Sequence, residues 1–217
     1  MKKYQTKEIE TSEDIIVEPL IRYPAIVLDP HKRYSYADYL GWTDDVRREL
    51  IDGMAYVMSA PRRIHAEISS NMFFPFTGFI RRRKGNCKVY HAPFDVRLPL
   101  DGAKDDDRIY TVVQPDICVI CDPAKLDDKG CLGAPDLIVE VLSPSTGKRD
   151  LNEKFNLYEA AGVKEYWVVY PDSKALNVFI LQSDGKYDFG TVYEKKGKVP
   201  VHIFKGLEID LEEMFSD

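Results

Sequence analysis

Two apolar runs constrain this chain more than anything else in its sequence. Val112-Val113-Gln114-Pro115-Asp116-Ile117-Cys118-Val119-Ile120-Cys121 and Asp136-Leu137-Ile138-Val139-Glu140-Val141-Leu142 are nearly continuous in hydrophobic residues. A strand without polar alternation is one covered on both faces, so both runs belong inside a sheet with layers on either side. The surrounding segments supply those layers. Residues 62–83 place Ile64, Ile68, Met72, Phe76 and Phe79 at helical spacing, with Pro75 expected to kink or restart the helix. A second helix, from about Lys148 to Ala161 and ended by Gly162, separates the second run from a strand at Glu165 to Tyr170. Glu49-Leu50-Ile51 and Met54 to Met58 flank Asp52-Gly53, the signature of a type I′ hairpin. Tyr34 to Leu40 reads as a short helix, and Cys87 to His91 and Phe94 to Leu98 as strands. Leu176 to Leu181 and Tyr187 to Tyr193 read as a C-terminal antiparallel meander. The pattern is α/β, a mixed sheet flanked by helices.

With 217 residues, 44% of them hydrophobic, the chain can bury one substantial core. Residues 1–30, punctuated by Pro19, Pro24 and Pro30, read as an N-terminal arm, and residues 31–217 as a single domain. No apolar run approaches the roughly 20 residues that span a bilayer, and the first residues lack a secretory pattern, so the expectation is a cytoplasmic protein that makes no membrane contact. On that expectation Cys87, Cys118, Cys121 and Cys131 are reduced thiols. A net charge of −6 argues against a protein that coats nucleic acid non-specifically. Local basic clusters remain at Arg62-Arg63, Arg81-Arg82-Arg83-Lys84 and Lys148-Arg149, either as solvated helix ends or as phosphate contacts.

Each apolar run carries one carboxylate, Asp116 in the first and Glu140 in the second. Ionised carboxylates are seldom buried without a cation or hydrogen-bond donors, so the pair points to a metal or a basic partner. The alternative is that one caps a loop and the other is salt-bridged. Strand alternation puts Ile138, Glu140 and Leu142 on one face. A lysine at 142 would complete a metal-nuclease triad, which Leu142 cannot do. Lys154, expected at the edge of a stripe formed by Leu151, Phe155 and Tyr158, can reach back toward Glu140; the competing reading is a solvated lysine paired with Asp150. A lysine at a stripe's edge could be changed to methionine with little effect on folding.

Three further stretches carry a resemblance. Gln-Pro-Asp-Ile-Cys-Val-Ile at 114 to 120, Ala-Pro-Asp-Leu-Ile-Val-Glu-Val-Leu-Ser-Pro-Ser-Thr at 134 to 146, and Asp150-x3-Lys154-x3-Tyr158 followed by Ala161-Gly162-Val163-Lys164-Glu165-Tyr166-Trp167 resemble the Uma-type endonucleases of the PD-(D/E)XK, restriction-endonuclease-like superfamily. The resemblance implies that Pro115-Asp116 is the PD element, that Glu140 is the acidic residue of the second element, and that Lys154 takes over from the absent lysine at Leu142. It also makes Glu49 an additional acidic residue and His65 a recurrent histidine without an assigned role. In the mechanism so implied, Asp116, Glu140 and the backbone carbonyl of Val141 hold Mg²⁺ or Mn²⁺, the metals that hard oxygen ligands favour over zinc. Glu49 completes the shell or holds a second ion, and Lys154 orients water or stabilises charge on the phosphate. The substrate is then nucleic acid, DNA in preference to RNA, and cutting both strands of a duplex would suit a homodimer.

Two rival readings stand beside this one. His65-Ala66-Glu67 with Cys118-x2-Cys121 matches parts of a zinc nucleobase deaminase. Residues three apart on a strand point to opposite faces, however, and both thiolates would have to meet one ion. The other rival is a nuclease fold used as a binding or assembly module without catalysis, for which Leu142 is the argument and the retention of Asp116, Glu140 and Lys154 the counter-argument. No helix-turn-helix or zinc-finger pattern decides between DNA and RNA.

Overall fold

The first apolar run does not make one strand. Its halves enter different sheets, and the change comes at Pro115, which has no N–H with which to continue a ladder. The computed structural model describes residues 25–143 and 147–216. In chain order these form α1 (Tyr36–Leu40), β1 (Arg48–Ile51), β2 (Met54–Val57), α2 (Arg63–Arg83), β3 (Lys88–His91), β4 (Val96–Arg97), β5 (Val112–Val113), β6 (Ile117–Ile120), β7 (Leu126–Asp127), β8 (Gly130–Leu132) and β9 (Leu137–Val141). There follow α3 (Gly147–Ala161), β10 (Glu165–Tyr170), β11 (Ala175–Ile180), β12 (Thr191–Glu194), β13 (Lys198–Pro200), β14 (Glu208–Asp210) and α4 (Leu211–Met214). One sheet has the order β2-β1-β5-β4-β8-β7 and the other β12-β11-β10-β9-β6-β3, while β13 and β14 pair separately.

β9 is the central strand. It pairs antiparallel with β6 and parallel with β10, and α3 is the crossover that a parallel pair requires. All five of its residues are buried, as the unbroken apolar run demands. Leu137, Val139 and Val141 pack with Ile68, Met72 and Phe76 of α2, whereas Ile138 packs with Leu157 and Tyr158 of α3, so a helix covers each face. α2 passes through Pro75 without restarting. Burial of its Ile68, Met72, Phe76 and Phe79 face offsets the one hydrogen bond that proline removes. The hairpin forms as expected, with Asp52 (φ 49°) and Gly53 (φ 80°) in the left-handed region.

Other expectations need correction. The strand expected at Tyr187 to Tyr193 begins only at Thr191, because Asp188 Oδ1 takes hydrogen bonds from Ile180 N and Gly190 N and turns the chain out of the ladder. Of the arm expected over residues 1–30, residues 1–24 lie outside the described residues, while Ile26 N donates to Asp44 Oδ2 at 2.6 Å and ties the end of the arm to the domain. The four cysteines are not all thiols: Cys87 and Cys121 form a disulfide, leaving Cys118 and Cys131 free and buried. The antiparallel register that sets Lys88 opposite Ile120 brings Cys87 and Cys121 together, a proximity that their separation of 34 residues does not reveal. Burial pushes both remaining thiols up, Cys131 to about 12, so neither is primed to react. We expect two of four thiols to titrate in denatured, unreduced protein. Reduction should lower unfolding stability by about 2–4 kcal/mol in a denaturant titration. Four titratable thiols before reduction would contradict the pairing.

Candidate active site

The corner between the two sheets builds the site. Gln114, which leaves β5, has no strand partner for its N–H and donates it to Glu49 Oε1 of β1 at 2.9 Å. Its side chain is held on both sides, accepting from Arg47 Nη2 at 2.8 Å and donating to Asp95 Oδ1 at 2.9 Å. Two residues on, Asp116 Oδ2 accepts from Val141 N of β9 at 2.7 Å and lies 3.1 Å from His65 Nε2 on the first turns of α2. The PD corner is thus tied to both sheets and to a helix.

Glu140 projects from the α3 face of β9. Its Oε1 accepts from Lys154 Nζ at 2.9 Å and from Tyr158 Oη at 2.6 Å, and Lys154 Nζ also donates to Glu49 Oε1 at 2.9 Å. Lys154 and Tyr158 are one helical turn apart, so α3 presents both to the same carboxylate. Burial first, and then the charges of Glu140 and Glu49, push the Tyr158 hydroxyl well above the ordinary tyrosine range. It is therefore a neutral donor to Glu140 at every working pH.

Lys154 is 2% exposed, which corrects the expectation that it sits at the stripe's edge. The buried stripe of α3 includes Lys154, Leu157 and Tyr158, with Phe155 on its flank. A lysine can occupy that position because Glu49 and Glu140 neutralise it there. The expectation that Lys154→Met leaves folding intact falls with it. The side chains of Lys148, Arg149, Asp150 and Leu151 lie outside the described residues.

Glu49, His65, Asp116, Glu140, Val141 and Lys154 all line one cleft of about 620 Å³, so every residue singled out from the sequence comes to the same place. Three were missed. In the sequence Tyr158 reads as packing alone, although a buried tyrosine hydroxyl needs a partner. Gln114 was a polar residue in an apolar run, a signal of the same kind as Asp116. Arg47, at the cleft wall, carried no signal. Leu142 packs with the α3-face cluster, on the side where a lysine at that position would have pointed.

The donors suit a hard divalent cation. Glu49, Asp116, Glu140 and Lys154 sum to three negative charges and one positive, leaving a formal two minus. Glu49 Oε2 is buried and has no hydrogen-bond partner, a cost that a bound cation would remove. Among the described residues no three His, Cys, Asp or Glu side chains form a ready-made metal cage. Mg²⁺ needs none, since it binds through one or two carboxylates together with water and substrate phosphate. The zinc-deaminase reading does not survive the geometry: Cys118 packs on the α3 side, Cys121 is bonded to Cys87 on the other, and His65 faces Asp116.

Residues 36–212 match the family model of Uma2, described as "Putative restriction endonuclease". The chain belongs to the Uma2 family. An uncharacterised protein of Synechocystis sp. (strain ATCC 27184 / PCC 6803 / Kazusa) is 29% identical to this Uma2 chain over 161 residues, which cover 73% of this chain and 80% of that protein. A crystal structure described as a "putative nuclease belonging to DUF820" from Anabaena variabilis superimposes with a TM-score of 0.66 at 18% identity, covering 83% of this chain and 97% of the other. The shared fold is the restriction-endonuclease-like α/β arrangement of mixed sheets flanked by helices.

Proposed function

We propose that this Uma2 chain is a Mg²⁺- or Mn²⁺-dependent endonuclease that hydrolyses phosphodiesters, acting on DNA in preference to RNA. The observation that carries the reading is Lys154 Nζ, held at 2.9 Å from both Glu49 and Glu140 in the cleft that Asp116 also lines. Asp116, Glu140, the Val141 carbonyl and Glu49 would hold the cation, which when bound supplies Lewis-acid polarisation of the scissile phosphate and a more acidic water. The chain's own residues do the rest. Lys154 keeps a fixed positive charge at the cleft floor, where it offsets charge that develops on the phosphate. Val141 N and His65 both meet Asp116 Oδ2 and so fix that carboxylate's orientation. Tyr158 and Lys154 do the same for Glu140. Arg47 and Arg62 also line the cleft, and Arg62 would supply a phosphate contact there, while Arg47 holds Gln114.

Among the described residues no helix is long and apolar enough to cross a membrane. A cytoplasmic location suits a nucleic-acid substrate, and cleavage of both strands would call on a homodimer. The test is a nicking assay on supercoiled plasmid with Mg²⁺, Mn²⁺ or EDTA, with Asp116→Ala protein as the control for contaminating nuclease. Metal-dependent nicking by the parent alone is expected. Folded protein that nicks with neither metal would transfer the reading to a binding or assembly module, which Leu142 favours.

A further inference from the structure

The cleft has a wall that the proposed chemistry does not use. α2 buries one face in the core, and turns toward the cleft a second stripe formed by Ala66, Ser69, Ser70, Phe73 and Phe74. Steps of three, one, three and one residues make this a continuous helical stripe. Its small side chains keep the middle of the cleft open, and its far end is aromatic. Phe73 packs edge-on against His91, with ring centroids 5.1 Å apart at 84°, whereas Phe74 is 71% exposed. From His65, which touches Asp116, to Phe74 is nine residues of helix, or roughly 13 Å along its axis.

Size and charge narrow what could cover that ring. A cleft of about 620 Å³ is on the scale of small-molecule sites, with room for a single nucleotide. Among the described residues, the arginines and lysines lining it besides buried Lys154 are Arg47 and Arg62, in a chain whose net charge is −6. This described lining offers phosphates few cations, so a contact to the bases would add to affinity for a strand. An exposed aromatic at the end of an open channel supplies one, since every nucleobase offers a face to stack on.

Resting on the nuclease reading above, we propose that Phe74 is a nucleobase-stacking residue and that the cleft accepts a strand with unpaired bases, its backbone running over Ala66, Ser69 and Ser70 toward Asp116. Bases stacked within a duplex offer the ring no free face. The protein then cuts one strand at a time, where a duplex is open or frayed.

Fluorescence anisotropy in EDTA, where no cleavage occurs, tests this with three labelled probes of equal length: an oligothymidylate, a duplex, and a strand of abasic sites. The oligothymidylate should bind most tightly. Phe74→Ala should weaken its binding roughly five- to hundredfold, Phe74→Trp should retain it, and neither should alter binding of the abasic strand. The proposal is overturned by a duplex that binds as tightly as the oligothymidylate, by Phe74→Ala binding like the parent, or by an equal loss on the abasic strand. Sedimentation in which Phe74→Ala turns a dimer into a monomer would also overturn it, by making the ring a self-association contact. The two readings fail separately. Base-dependent binding without cleavage in Mg²⁺ counts against the nuclease alone, and cleavage that Phe74→Ala leaves unchanged counts against stacking alone.

Discussion

Lys154→Met is expected to lower the cleavage rate by about two to three orders of magnitude, the usual loss for one electrostatic stabiliser. It should also destabilise the metal-free protein by about 3–5 kcal/mol, because removing one partner of a buried ion pair strands the other. Here two partners are stranded, since Glu49 Oε1 and Glu140 Oε1 both lose the ammonium at 2.9 Å. Methionine keeps most of the stem packing, so the deficit reports charge and not volume. One condition should shrink it. Mn²⁺ should narrow it at neutral pH if the carboxylates bind metal, because a ligand that binds only the folded state stabilises it. Thermal melts of both proteins in EDTA and in Mn²⁺ read both effects. A variant as stable and as active as the parent would remove Lys154 from the site.

What could be read in advance was periodicity, and what could not was register. The apolar run at Leu137 to Val141 and the stripe from Ile68 to Phe79 announce a sheet with a helix on it, since both patterns are local. The run at Val112 to Cys121 is apolar throughout and gives no sign of its change of sheet except Pro115, so the corner that orients Asp116 stayed hidden. Lys154 was assigned to an edge because only apolar residues were counted into the stripe. Its burial depends on Glu49, 105 residues earlier in the chain, and on a contact between two sheets that no local pattern encodes. The Cys87–Cys121 bond has the same origin: it needs the β3–β6 ladder, which is a tertiary fact. Asp116 and Glu140 were therefore identifiable from their cost, as carboxylates among apolar neighbours, and Glu49 and His65 through the family resemblance, while their mutual arrangement was not legible.

Glu49→Gln separates a metal ligand from a structural partner. Glu49 Oε1 accepts from Gln114 N and Lys154 Nζ, and an amide oxygen can keep both bonds. The change falls on Oε2, which is buried without a hydrogen-bond partner. Replacing that anionic oxygen with a neutral amide nitrogen lessens the buried negative charge but leaves its N–H donors unpaired, so metal-free stability should fall by about 1–3 kcal/mol. If Oε2 meets a cation in the working enzyme, the same change removes a ligand that an amide nitrogen cannot replace. Mn²⁺ affinity by isothermal titration calorimetry should then fall at least about tenfold, and cleavage at limiting metal by about a hundredfold. Asp116→Ala gives the reference for lost binding in the same titration, although it also strips Val141 N and His65 of their shared acceptor. A Glu49→Gln protein that binds Mn²⁺ like the parent and cuts like the parent would reduce Glu49 to the anchor of Lys154 and Gln114. The cation would then rest on Asp116, Glu140 and the Val141 carbonyl, with Oε2 an unpaired oxygen that the fold tolerates because Lys154 lies beside it.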